Sequence, residues 1–205
     1  MDLVEAAKSR RGGGPTERII LGIDPGTAVM GYGVVLVEGS SIILLEADAI
    51  RFPAADDHTL KLRAIFSHVV RIIEQHHPDE LAIEAQFFGK NVQSMLKLGR
   101  AQGVAIAAAL HRDLSVAEYA PRRVKQSITG NGNATKDQVA AMLHSILGPG
   151  RIPASTDATD ALAVAICHWF SSGSPVRPGA VAPRAPRGKS DWSGFVRNNP
   201  DRVKK

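Results

Sequence analysis

The 205-residue sequence predicts an α/β domain: a mixed five-stranded sheet, three antiparallel strands followed by two parallel ones, with helices on both faces. Three observations lead there. Between Arg18 and Ile50, apolar runs are broken only by Pro25-Gly26 and Gly39-Ser40, which reads as strands joined by short turns and hence as an antiparallel meander. Beyond Thr59, stretches with helical spacing alternate with the short apolar runs 79–84 and 115–119. Two strands flanking a helix pair in parallel through a right-handed crossover. Finally, 44% hydrophobic and 22% charged residues suit an ordinary globular core, and the longest apolar run, Val104 to Leu110, is far too short to span a bilayer.

In chain order, residues 1–17 mix charges with Gly12-Gly13-Gly14-Pro15 and predict a flexible leader to a domain over 18–171. Arg18 to Asp24 is a buried strand that ends in a carboxylate at the Asp24-Pro-Gly-Thr turn. Gly31 to Glu38 and Ser41 to Ile50 are the next strands. Thr59 to His76 is a helix with Leu60, Ile65, Val69, Ile72 and Ile73 as its candidate buried face, ended by Pro78. Asp79 to Glu84 is a fourth strand, again running into a carboxylate. After a loop bearing Phe87 and Phe88, Asn91 to Arg112 is a long Ala-rich helix interrupted by Gly99 and Gly103. Ser115 to Tyr119 is the fifth strand. Helices follow over Pro121 to Ile128, Thr135 to Leu147 and Asp157 to Phe170, the last capped by Ser155 or Thr156. Residues 172–205 hold five prolines and predict a disordered tail.

Net charge is +5, but the tail alone carries +6: eight Lys/Arg against Asp191 and Asp201. The overall basicity therefore describes the tail. Within the domain one segment stands out. From Ala85 to Lys136, Lys90, Lys97, Arg100, Arg112, Arg122, Arg123, Lys125 and Lys136 face only Asp113 and Glu118. Some of these are solvated helix faces; as a local excess they are also where contacts to a polyanion are expected. The single cysteine, Cys167, allows no intramolecular disulfide, and with no apolar leader segment a cytoplasmic setting is the simplest.

The chemistry rests on carboxylates. Asp24 and Glu84 end two strands, and Asp157 and Asp160 share a helix face at i and i+3. Each has a plain structural alternative: Asp24 as a turn former, Glu84 as a solvent-facing strand end, Asp157 and Asp160 as acids favoured by a helix dipole. If the last helix crosses the sheet centre, the four converge and repel one another unless cations bind. Hard oxygen ligands suit Mg²⁺. Two such ions, roughly 3.5–4 Å apart, activate water and stabilise the leaving oxygen of a phosphodiester.

These residues resemble the RuvC family of Holliday junction resolvases. Ile19-Ile-Leu-Gly-Ile-Asp-Pro-Gly-Thr27 with Gly31-Tyr-Gly-Val34 is similar to its opening motif, and Leu81-Ala-Ile-Glu84 with Phe87, Lys90 and Asn91 to its second. Leu96-Lys-Leu-Gly-Arg-Ala-Gln-Gly-Val104 resembles its central helix. Glu118-Tyr-Ala-Pro-Arg-Arg-Val-Lys-Gln126 with Lys136 resembles its basic segment, and Asp157-Ala-Thr-Asp-Ala-Leu-Ala163 its last motif. Five motifs in order are far more specific than any one. The resemblance implies a ribonuclease H-like fold, a homodimer, and metal-dependent cleavage of four-way DNA junctions in recombination and repair by paired nicks in strands of like polarity. It implies two Mg²⁺ ions per site, with Mn²⁺ able to substitute, held by Asp24, Glu84, Asp157 and Asp160. Some members carry His where this chain has Asp157. It further implies DNA contacts by Phe87, Lys90, Arg122, Arg123, Lys125 and Lys136, with Lys125 and Lys136 nearest the scissile phosphate, and RuvA and RuvB as partners.

Two features stay open in the residues themselves. Phe87 and Phe88 either plug the core edge or stack on an unpaired base, and the resemblance favours stacking by Phe87. Gly99 and Gly103, four apart on one helix face, serve either internal packing or a dimer seam, and the resemblance favours the seam. Two other function classes are weaker. An actin-like ATP-binding protein would share the strand–Asp–x–Gly–Thr turn but needs a second lobe, and a non-catalytic DNA-binding protein would gain nothing from four carboxylates.

Overall fold

Alternation decides the two faces of the sheet. In the computed structural model, which describes residues 17–86, 91–148, 152 and 155–172, β1 spans Glu17–Asp24, β2 Val29–Glu38 and β3 Ser41–Arg51. β4 spans Glu80–Glu84 and β5 Ser115–Tyr119. The helices are α1 (His58–His76), α2 (Val92–Leu110), α3 (Pro121–Thr129), α4 (Lys136–Leu147) and α5 (Thr156–Ser172). The sheet order is β3-β2-β1-β4-β5. β1, β2 and β3 pair antiparallel; β4 pairs parallel with β1 and with β5, as the sequence predicts.

Ile19, Leu21 and Ile23 of β1 and Met30, Tyr32, Val34 and Leu36 of β2 point to one side. There they pack with Ile65, Val69, Ile72 and Ile73 of α1 and the alanines of α2. Ile20, Val35, Val37 and Ala82 point to the other side, under α3, α4 and α5. α5 is buried along most of its length, from Ala158 to His168.

α5 lies almost directly on the sheet backbone. A Cβ at Gly22 would stand 2.2 Å from the carbonyl oxygen of Ala161, one at Gly31 2.0 Å from that of Asp157, and one at Gly33 2.7 Å from Leu162 Cδ2. Glycine is required at Gly22 and Gly31 because helix backbone occupies the space of a side chain. This glycine bed brings the acidic first turn of α5 over the end of β1.

Several boundaries shift. β1 begins at Glu17 and α5 runs to Ser172, so the domain extends one residue past each end of 18–171; the leader and tail otherwise lie outside the described residues. Asp79 precedes β4, and its carboxylate accepts from the Ile19 N–H at 2.7 Å. Asn91 caps α2, and α2 stops at Leu110. Leu60, expected in the core, is 43% exposed, because it lies in the first turn of α1 before the helix meets the sheet. Ser155 precedes α5, but its hydroxyl is buried without a hydrogen-bond partner among the described residues, so it supplies no side-chain cap. Among the described residues no helix is long and apolar enough to cross a membrane.

Candidate active site

Parallel pairing of β1 with β4 puts Ile23 beside Ile83, so the next residues, Asp24 and Glu84, end adjacent strands on the α5 side. They line a cleft of about 410 Å³ with Asp160 from α5, Lys125 from α3 and Lys136 from α4; Pro25, Gln86 and Leu98 are among its other walls. The cleft therefore joins three acids and two cations drawn from five elements.

Local sequence fixes each approach. Pro121 opens α3 at its first turn, and Gly130 closes it in a left-handed conformation at φ 75°. Thr135 and Gln138 form a capping box: the Thr135 hydroxyl accepts from the Gln138 N–H at 3.2 Å, and the Gln138 side chain accepts from the Thr135 N–H at 2.9 Å. That box sets Lys136 as the first residue of α4. A cation at a helix N-terminus opposes the dipole; here the Lys136 ammonium donates to Asp160 Oδ2, which offsets it. The same bond raises the Lys136 pKa above its ordinary value.

The acids are mutually strained. Burial, followed by the charges of Glu84 and Asp160, pushes Asp24 up to about 8. Burial and the charge of Asp160 also raise Glu84, against the opposing effects of an Asp24 hydrogen bond, Lys136 and Lys125. Buried like charges share protons when no cation separates them. Among the described residues no three carboxylate, imidazole or thiolate groups already stand as a ligand set. The donor chemistry nevertheless fits a hard divalent cation: oxygen-only, partly desolvated, and holding a proton on Asp24 in a place where positive charge is favoured.

Asp157 is not part of the cleft wall. It is half-buried one turn before Asp160 and acts electrostatically on Lys136. Arg122 packs beneath Gly132, where an added Cβ would meet its Cγ at 2.7 Å. Arg123 turns away from the cleft: its guanidinium lies over the Tyr119 ring at 5.9 Å and donates to Ser171 Oγ at 3.1 Å. Phe87 and Lys90 lie outside the described residues. Gly99 and Gly103 are exposed, and a Cβ on either would meet nothing within 4 Å, so internal packing does not explain them. Sequence reasoning missed Gly22, Gly31 and Gly33, although glycines recurring inside strands signal close approach of another backbone. Gln86 carries no motif of its own, and Leu98 enters only as part of the Leu96 to Val104 helix motif, so neither is singled out as a wall of the cleft.

A β3-β2-β1-β4-β5 sheet whose central parallel pair, β1 and β4, ends in acids beneath an acidic helix defines the ribonuclease H-like class of nucleases. The comparisons narrow this. The family model of crossover junction endodeoxyribonuclease RuvC matches residues 20–168. Crossover junction endodeoxyribonuclease RuvC of Cytophaga hutchinsonii is 52% identical over 92% of this chain and 89% of its own length. That of Porphyromonas gingivalis is 52% identical over 93% and 99%. The structure of Thermus thermophilus RuvC in complex with Holliday junction substrate is similar at TM-score 0.72 and 33% identity, over 76% of this chain and 94% of that one. The chain belongs to the RuvC crossover junction endodeoxyribonuclease family.

Proposed function

We propose that this chain is a nuclease that resolves Holliday junctions, cutting two strands of like polarity symmetrically about the crossover and leaving 5′-phosphate and 3′-hydroxyl ends. The observation that carries this reading is the meeting of Asp24, Glu84 and Asp160 in one cleft with Lys125 and Lys136 in its wall.

Asp24, Glu84 and Asp160 would hold divalent ions, Mg²⁺ or Mn²⁺, with Asp157 as the fourth acid. Bound there, the ions supply Lewis-acid stabilisation of the phosphate and a lowered pKa for water. Asp24 must give up its proton for this, and the incoming charge offsets the burial and the neighbouring acids that raise its pKa. Lys136, bonded to Asp160, is placed to exchange that carboxylate for a phosphate oxygen, and Lys125 in the same cleft holds the strand. Phe87 stacks on an unpaired base near the crossover, and Lys90 and Arg122 extend the phosphate track.

Two symmetric nicks call for two active sites, hence a homodimer. The exposed Val92, Leu96, Gly99, Gly103 and Leu110 recur along α2 at helical spacing and suit a seam between two copies. RuvA and RuvB are the partners that family membership suggests, acting in the cytoplasm. Residues 1–16 serve as a leader and 173–205 as a basic tail that adds non-specific affinity.

The test is cleavage of a synthetic four-way junction with Mg²⁺, beside a linear duplex of the same sequence and an Asp24→Asn variant. Paired nicks on the junction alone, abolished by EDTA and by the substitution, are expected. Equal cutting of the linear duplex would remove junction specificity from the reading, and binding without cleavage under any divalent metal would remove the nuclease.

A further inference from the structure

The three elements that carry the acids meet a second time. Arg18 lies six residues before Asp24 on β1, Glu80 four before Glu84 on β4, and His168 eight after Asp160 on α5. Even spacing keeps Arg18 and Glu80 on the same sheet face as the acids they precede. At that opposite end the three side chains form one bonded group. Arg18 Nη1 donates to Glu80 Oε1 at 3.2 Å, and His168 Nε2 lies 2.6 Å from Glu80 Oε2. His168 Nδ1 lies 2.8 Å from the Tyr119 hydroxyl. Arg18 also reaches Ser172 Oγ at 3.4 Å and lies over the Trp169 ring at 5.4 Å.

The bonding pattern sets the proton positions. If imidazole Nε2 donates to the carboxylate, Nδ1 is left to accept from the phenol. Burial raises the Tyr119 phenol above its ordinary value, keeping it a donor. His168 is 8% exposed, so both ring nitrogens depend on these partners.

The contact between α5 and the sheet explains why such a fastening is needed. Where Gly22 and Gly31 meet the helix, small residues lie against backbone and Leu162 sits over Gly33; Val164 and Ile166 are buried in the same core with Ile20, Val35 and Val37. At the glycines themselves the contact is helix on backbone, which allows close approach but offers no knob in a hole to oppose sliding. Directional hydrogen bonds to a buried imidazole add a constraint on axial register that packing at the glycines does not supply.

We infer that the Arg18–Glu80–His168–Tyr119 group is a positioning clamp, holding β1, β4 and α5 in the register that brings Asp24, Glu84 and Asp160 together at the far end. His168 and Glu80 are positioning residues that touch neither substrate nor ion. The inference rests on the nuclease reading only for its consequence in metal binding. The register claim stands on the fold.

Two measurements on the full-length chain test it. In hydrogen exchange without metal, His168→Phe should lower protection at the amides of Asp157 to Leu162 as well as near the substitution. Exchange that rises only between Ala165 and Ser172 would overturn the clamp. In Mn²⁺ titrations followed by electron paramagnetic resonance, without DNA, His168→Phe and Glu80→Gln should each weaken binding about tenfold, and the double variant no more than either alone. Ile65→Val, which loosens the other side of the sheet, should bind as wild type. Full Mn²⁺ affinity in both clamp variants would overturn the inference, as would equal weakening by Ile65→Val. A wild-type chain that binds no Mn²⁺ would sink the metal reading of the cleft, leaving the exchange experiment to decide the clamp.

Discussion

The two faces of the sheet are built on different rules. Beneath α1 and α2, large branched side chains interlock: Ile65, Val69, Ile72 and Ile73 against Leu21, Ile23, Val34 and Leu36. Beneath α5, glycines and alanines let a helix rest on strand backbone, with Gly22 under Ala161 and Gly31 under Asp157. The first face can lose a methyl group and close around the gap. The second has no slack at these glycines, because there its contact surface is the main chain that carries the acids. One face chiefly determines how stable the domain is, and the other where its charges stand.

The largest effect should come from adding one methyl to the second face. Gly31→Ala drives a Cβ into the Asp157 carbonyl, and α5 must lift. Single-turnover junction cleavage should fall at least roughly 100-fold, the scale expected when reacting groups are displaced by about 1 Å. Ile65→Val on the first face should cost about 0.5–1.5 kcal/mol of stability by thermal or urea unfolding and leave cleavage unchanged. Wild-type cleavage by Gly31→Ala would break the comparison.

Next comes the charge that the second face confines. Asp24 has a folded pKa of about 8 against an ordinary 3.8. A carboxyl raised on folding contributes fully below its unfolded pKa, and that contribution is lost as pH rises through the folded value. Metal-free wild type should therefore lose stability from about pH 4 to pH 8, and Asp24→Asn should lose less, since only Glu84 then remains raised. By pH 9 in EDTA the variant should melt higher, by on the order of 5 °C. Saturating Mg²⁺ should narrow the gap, since the ion favours the ionised wild-type carboxylate. A gap independent of pH would mean that Asp24 is not crowded in the way described.

The same contrast recurs on a single helix. Lys125 faces the cleft, while Arg123 grips Tyr119 and Ser171 near the end of α5. Lys125→Gln should reduce the slope of log affinity against log salt for junction DNA by about 1. Arg123→Gln should leave that slope alone and lower the melting temperature instead. Equal slopes in both variants would erase the distinction.

What the sequence revealed follows from these rules. Strands, helices and the parallel crossover were legible because alternation and helical spacing are local signals. Asp24 and Glu84 were legible as candidates because each ends an apolar run. That Asp160 joins them was only conditional, since it depends on α5 crossing the sheet centre, and the residues that make it do so are glycines read at first as parts of strands. The Arg18–Glu80–His168 group was invisible because it links positions 62 and 88 residues apart. Charge and the resemblance both group Arg123 with Lys125 in one basic segment. Their directions differ because neighbours two apart on a helix do not share a face.

Leu60 gives the smallest and most discriminating test. Helical spacing alone placed it with Ile65 and Val69, yet it is 43% exposed while both of those are fully buried. Leu60→Ala removes little buried surface and substitutes the best helix former, so the change should lie within about 0.5 kcal/mol of zero. Unfolding measured beside Ile65→Val makes the comparison direct. Were Leu60→Ala to cost as much as Ile65→Val, the first turn of α1 would have to be covered in solution, and dilution would then tell whether a second copy covers it. A concentration-independent loss would put the cover within the chain itself, and the boundary of the large-residue face would have to be drawn one turn further out.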